Sequence, residues 1–136
     1  MTAEAALALL HCGDHDGALT LIEGTDASDP GMLAAHGTIL LARGDALAAR
    51  SALRAAVALG DASDATLLNL ALAEGRSGDT ERSRQLMRTV AKRRPDWDEP
   101  WVRLAESFRT AGDNAAAEHA SRQALELKPR RPEALI

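Results

Sequence analysis

Tyrosine is absent from this 136-residue chain, and the other aromatics amount to Trp97, Trp101 and Phe108. A core so poor in aromatics must be assembled from small and aliphatic side chains, here mostly Ala and Leu. That composition suits closely approaching helices, because Ala has the best helix propensity and adds little width. A single cysteine, Cys12, excludes an intrachain disulfide and with it the cysteine-stapled class of small secreted domains. No apolar run reaches the roughly 18 residues that a membrane span requires. The N-terminus, MTAEAALALLHCGD, lacks the positive segment of a secretory signal and has Glu4 where a basic residue would stand. A soluble, cytoplasmic protein without membrane association is therefore expected. Lysine is scarce as well: Lys92 and Lys128 stand against fourteen arginines, which with the abundance of Ala suggests a bacterial, GC-rich source.

The net charge is −4, divided as −6 over residues 1–68 and +2 over residues 69–136. Neither half has the strongly basic footprint of a duplex nucleic-acid binder. The length suits one domain with a contiguous core.

What is present is a repeat. Gly-Asp stands at 13, 44, 78 and 112, spaced 31, 34 and 34 residues apart, with Ala18, Ala49, Ser83 and Ala117 each five residues after the glycine. Pro95 and Pro129 follow the last two glycines by seventeen. Each period reads as two helices. Trp101, Leu104, Ala105 and Phe108 lie at i, i+3, i+4 and i+7, one stripe of a first helix over about 98–111, and Ala117, Ala120, Ala124, Leu125 and Leu127 continue a second over about 114–127. Leu67, Leu70, Ala71, Leu86, Met87, Val90 and Ala91 repeat the scheme one period earlier, and Leu33, Gly37, Leu40, Ala49, Leu53, Ala56 and Val57 two periods earlier. The first period is shorter, with helices near 3–12 and 16–23 before the turn-forming EGTDASDP. Glycine ends a helix where positive φ is needed, and the aspartate after it can cap the next. So short a junction folds the two helices back on each other. Pro30, Pro100 and Pro132 fall in first turns, where a missing N–H is harmless.

A 34-residue helix-turn-helix unit of this pattern resembles the tetratricopeptide repeat (TPR) family, on Trp101, Leu104, Ala105 and Phe108, then Ala117 and Ser121, then Pro129. The resemblance covers residues 30–131 closely and 3–23 loosely. Ser121 replaces a large aromatic, Glu74 takes a tyrosine position in the third unit and His36 a leucine position in the second, so looser packing is expected there. The fold implied is an all-α, right-handed solenoid of antiparallel helix pairs, one domain over 1–136 with units at about 1–29, 30–63, 64–97 and 98–131. Residues 132–136 begin a fifth period, either a stub of a capping helix or the start of a repeat in a longer chain.

Reactive-looking segments have plainer readings. HCGDHDG, residues 11–17, aligns with the three other Gly-Asp junctions, so Gly13 reads as a helix stop and Asp14 as a cap, ahead of a metal site or a reactive Cys12 thiol. His36 reads as a core histidine and His119 as solvent-facing. The basic runs 92–94 and 128–131 end second helices, where cations complement the helix dipole, and neither an aromatic stacking platform nor a groove-reading helix accompanies them.

The resemblance implies that first helices line a concave groove for a peptide or a partner's helix. Carried over position by position, the groove residues are Ala34, Ala35, Thr38 and Leu41, then Leu68, Asn69, Leu72 and Arg76, then Glu99, Val102, Arg103, Glu106 and Arg109. Ala and Leu would form an apolar floor, Asn69 could bond a peptide backbone, and Arg76, Arg103 and Arg109 could hold carboxylates. The clamp that some members use for chaperone tails is not intact, since Ala34 and Glu99 occupy its lysine positions. No acid/base pair, nucleophile, phosphate loop or metal cage stands out. The expected function is a non-catalytic protein-protein interaction module, without cofactor or metal, binding a protein or peptide and no nucleic acid. Two rivals remain open: an N-terminal recruitment or oligomerisation segment of a larger bacterial transferase or hydroxylase truncated after residue 136, and self-association through an open end bearing Leu135 and Ile136.

Overall fold

A computed structural model describes residues 3–14, 16–18, 20 and 29–127 of the chain. The repeat reading holds throughout this span. Helix α1 (Ala3–His11) is followed by helical residues at 16–18 and 20. Three hairpins come next: α2 (Pro30–Ala42) with α3 (Ala46–Ala58), α4 (Asp64–Arg76) with α5 (Thr80–Arg93), and α6 (Glu99–Thr110) with α7 (Asn114–Leu127). No strand occurs among the described residues, and none of their helices is long and apolar enough to cross a membrane. The expected fifth period, 132–136, and the basic run 128–131 lie outside the described residues.

The Gly-Asp junctions behave alike. Gly13, Gly44, Gly78 and Gly112 have φ of +84°, +87°, +103° and +83°. At each, the glycine N–H bonds a carbonyl three residues back and the aspartate N–H one five residues back, as with Gly44 to Leu41 at 3.0 Å and Asp45 to Leu40 at 2.9 Å. This is the Schellman closure of a helix. The aspartate carboxylate then accepts from the next helix, for example from Ala48 N at 3.2 Å at Asp45 and from Ala116 N at 3.1 Å at Asp113. A fifth Gly-Asp, at 60, closes α3 with φ +109° between units rather than inside one. HCGDHDG is thus a turn at Gly13 and Asp14, with Cys12 exposed on its rim; His15 lies outside the described residues.

Two apolar clusters run along the stack. Ala6, Ala18, Met32, Ala35 and Ile39 join the first unit to α2, while the larger cluster extends from Leu41, through Leu53, Leu67, Leu70 and Val90, to Leu104 and Ala120. Helix α2 serves both, so it buries Met32, Ala35, Gly37, Ile39 and Leu41 instead of the single stripe its sequence suggests. Its approach to α3 is close: a Cβ on Gly37 would lie 2.4 Å from Leu53 Cγ. The His36 side chain is half-buried, and no hydrogen bond joins it to another of the described residues.

The third unit corrects the expectation of loose packing. Glu74 is fully buried, and Arg54 of α3 grips both its oxygens at 2.7 and 2.8 Å. Arg50 of α3 and Arg82 of α5 add ion-pair contacts at 3.6 and 3.9 Å. A carboxylate is accommodated at this tyrosine position because neighbouring helices supply its counter-charges.

Candidate functional site

Sequence reasoning placed the site on the first helices, and α4 and α6 do form an open cleft between them. It has a volume of about 360 Å³. Leu72 and Arg76 come from α4, Arg103 and Glu106 from α6, and Met87 of α5 lies at its base. These four expected residues are brought together. Asn69, Val102 and Arg109 are outside the cleft lining, and Leu68 is a core residue, 6% exposed. Ala35 and Leu41 are buried too, so the second unit offers less groove surface than expected. The cause is the small side chains of α2, which let its neighbours close over that face.

Several groove candidates already have partners within the protein. Asn69 Nδ2 donates to Thr38 Oγ1 at 3.2 Å, tying the second and third units together. Arg103 lies between two carboxylates of its own helix. Its Nε is 2.9 Å from Glu99 Oε1, without hydrogen-bond geometry, and its Nη1 donates to Glu106 Oε2 at 3.4 Å. Pairs of this kind on one helix face leave little net charge for a ligand. Arg76 is exposed and has no ion-pair partner among the described residues, which makes it the free cation of the cleft.

Several arginines elsewhere are structural. In the basic run at 92–94, Arg93 donates to the carbonyl of Ala62 at 2.9 Å and pairs with Asp64 at 3.6 Å, while Arg94 also reaches Asp64, at 3.7 Å, and lies over the Trp97 ring. They tie the end of α5 to the start of α4. Arg84 lies over Phe108, 4.2 Å from the ring centre, and its Nε donates to Ser107 Oγ at 3.0 Å. His119 is exposed, as expected, and stands edge-on to Trp101.

Sequence reasoning missed the arginine cluster around Glu74 and a second cavity, on the other side of α6. The signal for both was there. Arg50 and Arg84, and likewise Arg54 and Arg88, stand one 34-residue period apart, each pair facing the next unit. Among the described residues no three His, Cys, Asp or Glu side chains are grouped as metal ligands would be.

Comparisons with known proteins agree with this architecture. Residues 98–131 match the family model described as Tetratricopeptide repeat. No curated protein gives a significant match to the chain. Among solved structures, MamA 41-end from Desulfovibrio magneticus RS-1 aligns with TM-score 0.85 at 20% identity, over 96% of this chain and 75% of that one. YrrB, described as a TPR protein with an unusual peptide-binding site, gives 0.81 at 15% identity, over 96% and 69%. Pseudomonas aeruginosa PilF gives 0.80 at 17%, over 97% and 62%. At these identities the likeness concerns the fold. The stacked helix pairs have the fold of a TPR solenoid, and the last of them, residues 98–131, matches the tetratricopeptide repeat model itself.

Proposed function

We propose that the chain is a non-catalytic protein-protein interaction module that receives a peptide or partner segment in the cleft between α4 and α6. The observation that supports this most directly is the lining of that cleft. Leu72 and Met87 give it an apolar base, and Arg76, Arg103 and Glu106 a charged rim. Apolar centres with polar rims are the usual anatomy of protein interfaces. Because Arg103 is occupied by Glu99 and Glu106, discrimination falls to Arg76, which selects a segment with an acidic residue at that end.

The test is affinity capture with the full chain, comparing wild type, Arg76→Glu and the distant surface variant Leu125→Ala, whose side chain is exposed on α7. Partners that depend on the cleft disappear with Arg76→Glu and persist with Leu125→Ala. Identical partner sets for all three proteins would refute the assignment.

A further inference from the structure

The cavity on the far side of α6 owes its existence to three alanines. Residues 34 apart occupy equivalent places in successive units, so the junction between the second and third units shows what the next junction lacks. In the earlier junction Val57 and Leu86 pack with the core and Arg82 reaches Glu74. The equivalent positions in the later one are Ala91, Ala116 and Ala120, and Phe108 stands in place of Glu74. The space left open is about 530 Å³, with Trp101, Leu104 and Phe108 as its apolar wall. That volume lies within the range of pockets that hold ligands.

Two features specify the occupant. Arg88, the equivalent of Arg54, lines the cavity beside Lys92, and neither has an ion-pair partner among the described residues. Arg54 holds the carboxylate of Glu74 in a bidentate grip, whereas the phenyl ring at 108 leaves Arg88 with nothing to hold. A smaller cavity of about 250 Å³ shares Ala91 and Trp101 with it and is bordered further by Pro95, Gln123 and Leu127. Two adjoining cavities suit successive side chains of an extended segment better than one compact molecule.

We infer that this cleft between α5 and α7 is a second docking site, for an extended partner segment carrying a bulky apolar residue next to an acidic one. The apolar side chain fills the space against Trp101, Leu104 and Phe108, and the carboxylate pairs with Arg88 as Glu74 pairs with Arg54. The acidic end lies toward Arg88 and Lys92 because Glu126 stands at the other end. Positions 101, 104 and 108 face away from 99, 103 and 106 on the helix, so the site is independent of the concave cleft.

The experiment is an NMR titration of the labelled full chain with the blocked peptide acetyl-Ala-Leu-Leu-Glu-Ala-Ala-amide. A Lys-for-Glu version and hexanoate serve as comparison probes. Saturable shifts are expected at 88, 92, 116 and 119 and at the Trp101 indole, with affinity for the Glu peptide falling about tenfold or more in both Ala116→Leu, which fills the cavity, and Arg88→Glu, which reverses its charge. Arg88→Glu is expected to bind the Lys peptide better than wild type does, a reversal that a merely damaged fold cannot produce. Shifts centred on Leu72, Arg76 and Arg103 would overturn the proposal, as would unchanged binding by Ala116→Leu or no saturation at millimolar peptide. Tighter binding of hexanoate than of the Glu peptide would overturn the assignment to a peptide segment.

Discussion

Replacing Arg54 with methionine tests the arginine cluster around Glu74. Removing one member of a buried ion pair leaves an uncompensated charge and typically costs about 3–5 kcal/mol. Here the cost is smaller, because Arg54 is itself 52% exposed and Arg50 and Arg82 remain 3.6 and 3.9 Å from the carboxylate. The expected loss for Arg54→Met is about 2 kcal/mol, below the range for fully buried pairs. In a chain of this size that lowers Tm by roughly 8 °C. Glu74→Leu, which installs the residue found at Leu40 in the second unit, is expected to stay within about 1 kcal/mol of wild type, because it removes the one fully buried charge and leaves Arg50, Arg54 and Arg82 exposed enough to be solvated. Adding Arg54→Met to Glu74→Leu then changes little, giving a coupling energy of about 2 kcal/mol. Urea denaturation followed by far-UV circular dichroism supplies these values. Fluorescence supplies a second readout, because Trp97 and Trp101 both lie beyond the weakened junction. In a stack stabilised by nearest-neighbour contacts, the dichroism of Arg54→Met falls before the fluorescence does. An unchanged urea midpoint for Arg54→Met, or a loss for Glu74→Leu as large as for Arg54→Met, would refute the reasoning.

Two further substitutions probe the packing and the turns. Gly37→Ala would put a Cβ 2.4 Å from Leu53 Cγ; overpacking of this kind costs about 1–3 kcal/mol, and a second change, Leu53→Ala, should make the added methyl harmless. A Gly37→Ala protein with a raised Tm would show that the helices are not in close contact. Gly112→Ala forces a side chain onto φ +83°, costing about 1–2 kcal/mol, and Asp113→Ala removes a cap worth about 1 kcal/mol. Thermal melting of Gly112→Ala and Asp113→Ala checks both, and a Gly112→Ala protein as stable as wild type would contradict the turn geometry.

The helix ends and turns were legible because they depend on neighbours in the chain. A positive-φ glycine followed by a capping aspartate needs only a few consecutive residues, and α6 and α7 fall within a residue of their expected limits at the inner ends. The site was legible only in part. Leu72, Arg76, Arg103 and Glu106 share a cleft, but the use of Asn69 on Thr38 spans 31 residues and has no local signature. Glu74 looked like a defect because its partners Arg54 and Arg82 are 20 residues before it and 8 after it, on two other helices. Leu68 and Ala35 were misplaced because first-helix positions that face the groove in an idealised unit become interior when small residues bring the helices together.

Each of the Gly-Asp corners is held by hydrogen bonds that reach back no more than five residues. A hairpin can therefore turn as soon as its own segment has left the ribosome, without waiting for distant sequence to be translated. It also means that duplicating one period of the gene copies a complete corner along with its helices. Growth or loss of whole units then leaves the turn chemistry untouched, and divergence is confined to the surfaces where one unit meets the next.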